Sequence, residues 1–195
     1  ARPSRMCALI RAGGMGERLR PLTDNLPKPM VPVCGRPILA HQVEWLKGAG
    51  VADVVFLAGY RWEVIQDYFG DGSKFGIRAQ YSVEDTPLGR GGAIRNGLPL
   101  VPDTDECVVV LNGDVVTSEV LGAILERHRE KRVANYSHLA TIMVVPMVSP
   151  YGLVDMNAVD DVVGFREKVE MPHWINAGVY ILDRSILLEL PEVGD

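Results

Sequence analysis

Short, uninterrupted apolar runs constrain this chain more than any other feature. Residues 6–10 (MCALI), 54–58 (VVFLA) and 108–111 (VVVL) show no polar alternation. A strand with one face in water alternates, so runs of this kind belong in a sheet covered on both faces. The segments between them carry the helical period. Leu39, Val43 and Leu46 fall on one face of a helix over 37–48, stopped by Gly48 and Gly50. Val64, Ile65, Tyr68 and Phe69 repeat that spacing before a Gly70-Asp71-Gly72 turn. Ile77, Ala79, Tyr81 and Val83 alternate as a strand, and 91–98 reads as a short helix. Leu121, Ile124 and Leu125 open a helix that runs into the charged stretch 126–132, and 139–147 is a further strand. Strands alternating with helices predict an α/β fold in which helices cover both faces of a mostly parallel sheet. The order then changes. Residues 152–156 and 162–167 flank Asp160-Asp161 as a small antiparallel hairpin, followed by a strand at 175–182 and a helix at 184–190.

Composition sets the limits. Of 195 residues, 47% are apolar, and a chain this long buries about 70% of its unfolded surface. No apolar run reaches the roughly 18 residues of a membrane-spanning helix. The start, Ala1-Arg2-Pro3-Ser4-Arg5, is basic, but the apolar stretch behind it is too short for a signal peptide, so a cytoplasmic protein is the default expectation. Cys7, Cys34 and Cys107 are odd in number and form no CxxC pair. A reducing compartment fits, with Cys7 and Cys107 read as core thiols. The net charge of −5 argues against nucleic acid as a partner. Residues 1–36 nevertheless carry seven Lys/Arg against two Asp/Glu, which is either a local anion site or chance clustering.

In open sheets of this kind ligands bind beyond the carboxyl ends of the strands. The loop after the first strand reads Arg11-Ala12-Gly13-Gly14-Met15-Gly16-Glu17-Arg18. Three glycines in four residues permit positive φ and close backbone approach, so successive N–H groups can cradle a phosphate. Arg18 adds a charged fork for phosphate oxygens. The loop lacks the Gly-Lys-Ser/Thr of a P-loop and has Leu19 where the dinucleotide fingerprint needs Gly. Taken alone it is also compatible with an ordinary strand exit. Nearby, Pro27-Lys28-Pro29 mounts one flexible cation between two residues of fixed φ. That is either a positioned charge or a solvated Lys in a Pro-rich loop. Leu111-Asn112-Gly113-Asp114 ends a buried run in a carboxylate, which reads as a ligand for a hard cation or as a helix N-cap.

Residues 13–23 followed by Pro27-Lys28-Pro29 resemble the signature of the sugar-1-phosphate nucleotidyltransferases, the superfamily of mannose-1-phosphate guanylyltransferase and glucose-1-phosphate thymidylyltransferase. The likeness continues through 84–94, 111–114, 165–168 and 175–181, nearly the whole chain. It implies a Rossmann-like three-layer sandwich with its small hairpin near a sugar site. It implies that Ala12, Gly13, Gly14 and Gly16 wrap a triphosphate, that Arg18 binds its β/γ-phosphates, and that Lys28 contacts the reacting phosphates. Asp114 matches the ligand of the family's Mg²⁺. Glu84, Pro87 and Gly89 match the segment that reads the base, with Arg90 departing from the usual Thr. Uridylyl and thymidylyl members commonly carry Gln where Glu84 stands. A carboxylate only accepts hydrogen bonds, which suits the adjacent N1–H and N2–H donors of guanine, so GTP is the expected nucleotide.

Gly152, Glu167 and Asn176 match residues that hold the sugar, and Lys168 the one that holds its phosphate. His41, His128, His138 and His173 match nothing catalytic and are read as surface or packing residues. The resemblance thus implies an enzyme that joins a nucleoside triphosphate to a sugar 1-phosphate of mannose or heptose type. Use of UTP or dTTP, or a catalytically silent regulatory homologue that binds a nucleotide-sugar, are the alternatives. Neither nucleic acid nor a membrane is an expected partner, and assembly into a homo-oligomer is left open. The family's second metal ligand, an Asp in Trp-x-Asp-x-Gly, has no counterpart here. Trp174-Ile175-Asn176-Ala177-Gly178 has its spacing but is the sugar motif. Residues 1–195 are therefore expected to be one catalytic domain lacking its C-terminal part.

Overall fold

The computed structural model describes residues 6–195, and the basic start at 1–5 lies outside the described residues. In chain order the elements are β1 (Cys7–Arg11), β2 (Pro32–Val33), β3 (Arg36–Pro37), α1 (Ile38–Gly48), β4 (Asp53–Ala58), α2 (Trp62–Phe69), β5 (Arg78–Val83), α3 (Gly89–Gly97), β6 (Cys107–Asn112), α4 (Leu121–Ala134), β7 (Ala140–Val148), β8 (Leu153–Met156), β9 (Val162–Arg166), β10 (Glu170–Asp183) and α5 (Arg184–Leu188). Every element expected from periodicity is present. The two-residue strands β2 and β3 are not legible in the pattern, because two residues carry no period.

The main sheet has the order β5-β4-β1-β6-β10-β7. β4 pairs in parallel with β1 and β5, β1 in parallel with β6, and β10 runs antiparallel to β6. From β1 the chain builds outward through β4 to β5, then returns to lay β6 on the other side of β1. That reversal makes β1 and β6 the switch point of the sheet, where the loops leaving two neighbouring strands diverge and open a crevice. Arg11 and Asn112 stand level in the register there. The antiparallel member of this sheet is β10, whereas the β8–β9 hairpin forms a two-stranded sheet of its own.

The three central strands carry the apolar runs. Cys7, Leu9, Val55, Leu57, Val108 and Val110 pack with Ile94, Leu98 and Leu187 from one layer of helices. Alternate residues face the other layer. Phe56 packs against Phe69 of α2 as a tilted ring pair with centroids 4.9 Å apart, and α1 buries Leu39, Val43 and Leu46 as its periodicity predicts. Each such side chain contributes about 1.5–3 kcal/mol relative to exposure, so the loops at the strand ends leave a rigid base. Burial drives the Cys7 thiol up to about 12, an inert core group as expected. His128 is buried on α4 in line with Leu121 and Leu125, a packing residue.

Two compact units emerge. One comprises residues up to 141 together with 178–195, and the other residues 142–177. In the second, β8 and β9 pair from Leu153 opposite Arg166 to Met156 opposite Val162, with a bulge near Met156. Arg166 grips Asp155 across the strands through Nε at 2.9 Å and Nη2 at 2.8 Å.

Candidate nucleotide and phosphate site

The Gly-rich loop leaves β1 at the switch point. Ala12 is buried and its N–H donates to the Leu57 carbonyl at 2.7 Å, still part of the sheet edge. At the far end the Leu19 N–H donates to the Gly16 carbonyl at 2.9 Å. Between them, the N–H groups from Gly13 through Arg18 find no protein acceptor among the described residues. Backbone donors pointing outward from a strand end form the concavity that binds oxyanions. Arg18 stands exposed on a short 3₁₀ turn, Glu17–Leu19. The loop is pinned from behind: Thr23 Oγ1 donates to the Gly16 carbonyl at 2.9 Å, and the Tyr60 hydroxyl donates to the Asp24 carbonyl at 2.8 Å.

The three glycines have different reasons. Only Gly16 has positive φ, at 63°, and a Cβ there would stand 2.8 Å from Cβ of Lys28. A Cβ on Gly13 would stand 2.7 Å from Glu84 Oε1, whereas one on Gly14 would meet nothing within 4 Å. Gly14 is thus the glycine whose open side faces away from protein.

Pro27 and Pro29, both buried, flank Lys28 on a short 3₁₀ turn and hold its stem while the ammonium stays half exposed. Lys28 Nζ donates to Asp114 Oδ2 at 2.5 Å. The two are 86 residues apart, and Gly113 explains how they meet. A side chain there would collide with the Arg11 carbonyl and come within 2.9 Å of Pro29 Cγ. Gly113 makes room for the protein's own backbone, bringing the Pro-Lys-Pro turn against the turn that carries Asp114.

Glu84 follows β5 and is half buried. Its Oε2 accepts from the Leu88 N–H at 3.1 Å, tying together the 84–88 loop in which Pro87 stands exposed. Gly89 begins α3 with φ of 81°. A Cβ on Gly89 would lie 2.6 Å from the Gly194 carbonyl, which accepts from the N–H groups of Gly91 at 2.9 Å and Gly92 at 3.1 Å. Arg90 meets Asp195 through its backbone N–H at 2.9 Å and its guanidinium at 2.6 Å, and the bond to Arg90 lowers the Asp195 carboxyl to about 2. The protein partner of Arg90 is thus a residue 105 positions away.

In the other unit, Gly152 and Glu167 adjoin: a Cβ on Gly152 would come 3.0 Å from Glu167 Oε1. Lys168 is exposed with φ of 51°, and Asn176 lies on an exposed stretch of β10.

Sequence reasoning passed over Arg11, Asn112 and Gln42. Arg11 Nη1 donates to Asn112 Oδ1 at 2.8 Å. Burial pulls the Arg11 guanidinium below its ordinary value, opposed in part by Tyr180, Asp195 and Asp114. Gln42 Nε2 donates to the carbonyls of Asn112 and Val115 at 2.8 and 2.7 Å. A signal for Gln42 existed: it is a polar residue on the same helical face as Leu39, Val43 and Leu46.

A doubly wound sheet with a row of acceptor-free N–H groups and a Lys–Asp pair at its switch point has the layout of the nucleotide-binding α/β proteins. The chain belongs to the nucleotidyl transferase family, whose model matches residues 7–193. It is 36% identical over 189 residues to mannose-1-phosphate guanylyltransferase of Mycobacterium tuberculosis, covering 95% of this chain and 51% of that protein. It is 35% identical over 182 residues to D-glycero-alpha-D-manno-heptose 1-phosphate guanylyltransferase of Campylobacter jejuni, covering 93% of this chain and 77% of that one. Among solved structures it resembles HddC from Yersinia pseudotuberculosis complexed with GMP-PN, with TM-score 0.70, 27% identity, and coverage of 95% of this chain and 80% of that chain. The chain spans about half the length of the mannose-1-phosphate relative.

Proposed function

We propose that this chain carries the guanylyl-transfer site of an enzyme that joins GTP to a mannose- or heptose-type sugar 1-phosphate. The observation that carries the reading is the row of acceptor-free N–H groups from Gly13 through Arg18, next to the Lys28–Asp114 pair at the switch point. In the reaction a phosphate oxygen of the sugar 1-phosphate attacks the α-phosphorus of GTP. One P–O bond forms, the bond to the β-phosphate oxygen breaks, and pyrophosphate leaves with the electron pair. A general base is unnecessary, since a phosphate monoester is mostly dianionic at neutral pH, its second pKa being about 6. Catalysis is then positioning and charge neutralisation. The loop N–H groups and Arg18 hold the β/γ-phosphates, and Lys28 neutralises charge on the reacting phosphates. Glu167 and Asn176 bind sugar hydroxyls, Gly152 offers its backbone to the sugar, and Lys168 pairs with the sugar phosphate.

Mg²⁺ is the proposed cofactor, and Asp114 would hold it. The donor set fits on two grounds. The Asp114 carboxylate already takes a cation, the Lys28 ammonium, while staying partly open. Mg²⁺ binds through one or two carboxylates plus substrate phosphates, so no larger acidic cage is needed. No group of three or more His, Cys, Asp or Glu gathers among the described residues. Bound there, the ion supplies Lewis-acid neutralisation of the phosphates.

The preference for guanine rests on Glu84. With Oε2 engaged by Leu88, Oε1 remains the acceptor for a guanine N–H. Glu84→Gln should cost GTP about 1–3 kcal/mol of selectivity against UTP and dTTP. A pyrophosphate-release screen of four nucleoside triphosphates against mannose, heptose and glucose 1-phosphates, on the full-length protein, tests the whole reading. GTP with a mannose- or heptose-type phosphate is the expected pair. Preference for UTP in the wild type would remove the guanylyl assignment, and no turnover with any pair would remove the enzyme.

A further inference from the structure

The turn that carries Asp114 is held from underneath by a residue of another element. Gln42 lies on α1, is 4% exposed, and donates from one nitrogen to the Asn112 carbonyl at 2.8 Å and the Val115 carbonyl at 2.7 Å. Those carbonyls bracket the turn. Because both partners are acceptors, the amide orientation is settled by chemistry: only the NH₂ end can face them. The turn has two further backbone ties, from the Gly113 N–H to the Arg11 carbonyl at 2.8 Å and from the Val115 N–H to the Asn112 carbonyl at 3.2 Å, besides the side-chain bonds of Asn112 to Arg11 and of Asp114 to Lys28. The first joins it to β1, and the second closes the turn on itself. Among the described residues, Gln42 alone joins both ends of the turn to the helix layer. Its Oε1 is buried without a protein partner, and the residue lines a cavity of about 20 Å³ with His41, Trp45 and Val115. A buried amide with an unsatisfied oxygen is costly in a helix whose other inward residues are apolar. Apolar side chains of similar size would fill the same space without that penalty.

We propose that Gln42 is a positioning residue that fixes the Asn112–Val115 turn and thereby the direction of the Asp114 carboxylate. It touches neither substrate nor cation. It acts by removing the freedom of a two-ended turn, so that Asp114 is set before nucleotide and cation arrive. The link to catalysis rests on the reading of Asp114 as the cation-binding carboxylate.

The test uses Gln42→Met, which keeps volume and loses both donors, and Gln42→Glu, which sets an acceptor against two carbonyls. Hydrogen exchange is measured on the ligand-free full-length protein. In the wild type the Gly113 and Val115 amides should be protected well beyond exposed loop amides. In Gln42→Met they should exchange about tenfold faster, with β1 and β4 unchanged. In the same variants the Mn²⁺ concentration for half-maximal turnover should rise several-fold, as should the Mn²⁺ dissociation constant read by electron paramagnetic resonance with GTP present. KM for the sugar phosphate should stay put, and Gln42→Glu should be at least as impaired. Unchanged exchange in the turn, or unprotected wild-type amides should both variants fail to fold, overturns the proposal. So does faster exchange with unaltered Mn²⁺ response, which would make Gln42 structural only. If Asp114→Asn leaves the Mn²⁺ response of an active protein intact, the reading of Asp114 falls and takes the catalytic link with it, whatever the exchange data say.

Discussion

Gly14 and Gly16 sit two positions apart and do different work, and substitution separates the two. Gly16→Ala places a side chain at φ of 63° and against Lys28 Cβ. It should lower stability by about 1–2 kcal/mol from the left-handed backbone alone, and displace Lys28 besides. Gly14→Ala meets open space and an ordinary φ, so its thermal midpoint should match wild type while KM for the triphosphate rises. A combined melting and steady-state measurement distinguishes the pair. An unaltered KM in Gly14→Ala would mean that no ligand approaches there. Lys28→Ala and Arg18→Ala should each cost about 2–4 kcal/mol of transition-state stabilisation, the scale of one preorganised electrostatic contact. Neither should unfold the protein, since both side chains are solvent-accessible. The exposed Lys28–Asp114 pair adds little to stability. Near-wild-type kcat/KM in both variants would exclude the loop as the phosphate site.

Among the elements, α4 has the weakest apolar face and carries a titratable group in it. Leu121, Leu125 and His128 are its buried residues. His128 Nδ1 and His138 Nε2 both meet Thr141 Oγ1 at 2.9 Å, and His128 Nε2 is buried with no protein partner. Burial lowers the His128 pKa from its ordinary 6.5, and His138 and Arg132 push the same way, with Asp183 opposing. The unfolded chain therefore binds a proton more readily than the folded one. Stability is fully present above the unfolded value and is lost as pH falls through 6.5 toward the lower folded value. Thermal midpoints taken from pH 8 to pH 5 should fall more steeply in wild type than in His128→Gln. Parallel curves would show that α4 docking does not depend on this imidazole. The start of α3 behaves differently: Gly194 and Asp195 occupy its N-terminal N–H groups, a long-range cap in place of a local Ser, Thr or Asp.

At the scale of the whole molecule, binding and folding are linked. On the proposed reading, GTP with Mg²⁺ would bind only the assembled switch point, so it should raise the thermal midpoint, by the equivalent of about 2.7 kcal/mol at a hundredfold excess over Kd. Chelation should remove most of that shift if the cation bridges Asp114 and the phosphates. A shift that EDTA leaves intact would detach the cation from the nucleotide site. The layered α/β architecture was legible because buried parallel strands and amphipathic helices have periods visible within a few residues. The Gly-rich loop after β1 and Pro27-Lys28-Pro29 were legible for a related reason, since glycine and proline declare backbone demands locally. Other features are properties of the strand order. The return of the chain to the far side of β1 puts Asn112 level with Arg11, Pro29 against Gly113 and Gln42 beneath Asp114's turn. No local pattern encodes those meetings, because each joins groups tens of residues apart whose contact exists only once the sheet has chosen its neighbours. The sequence by itself determined the elements and the chemistry available at their ends. The tertiary structure decided which glycines have no room for a side chain, and which buried amide braces the turn that carries Asp114.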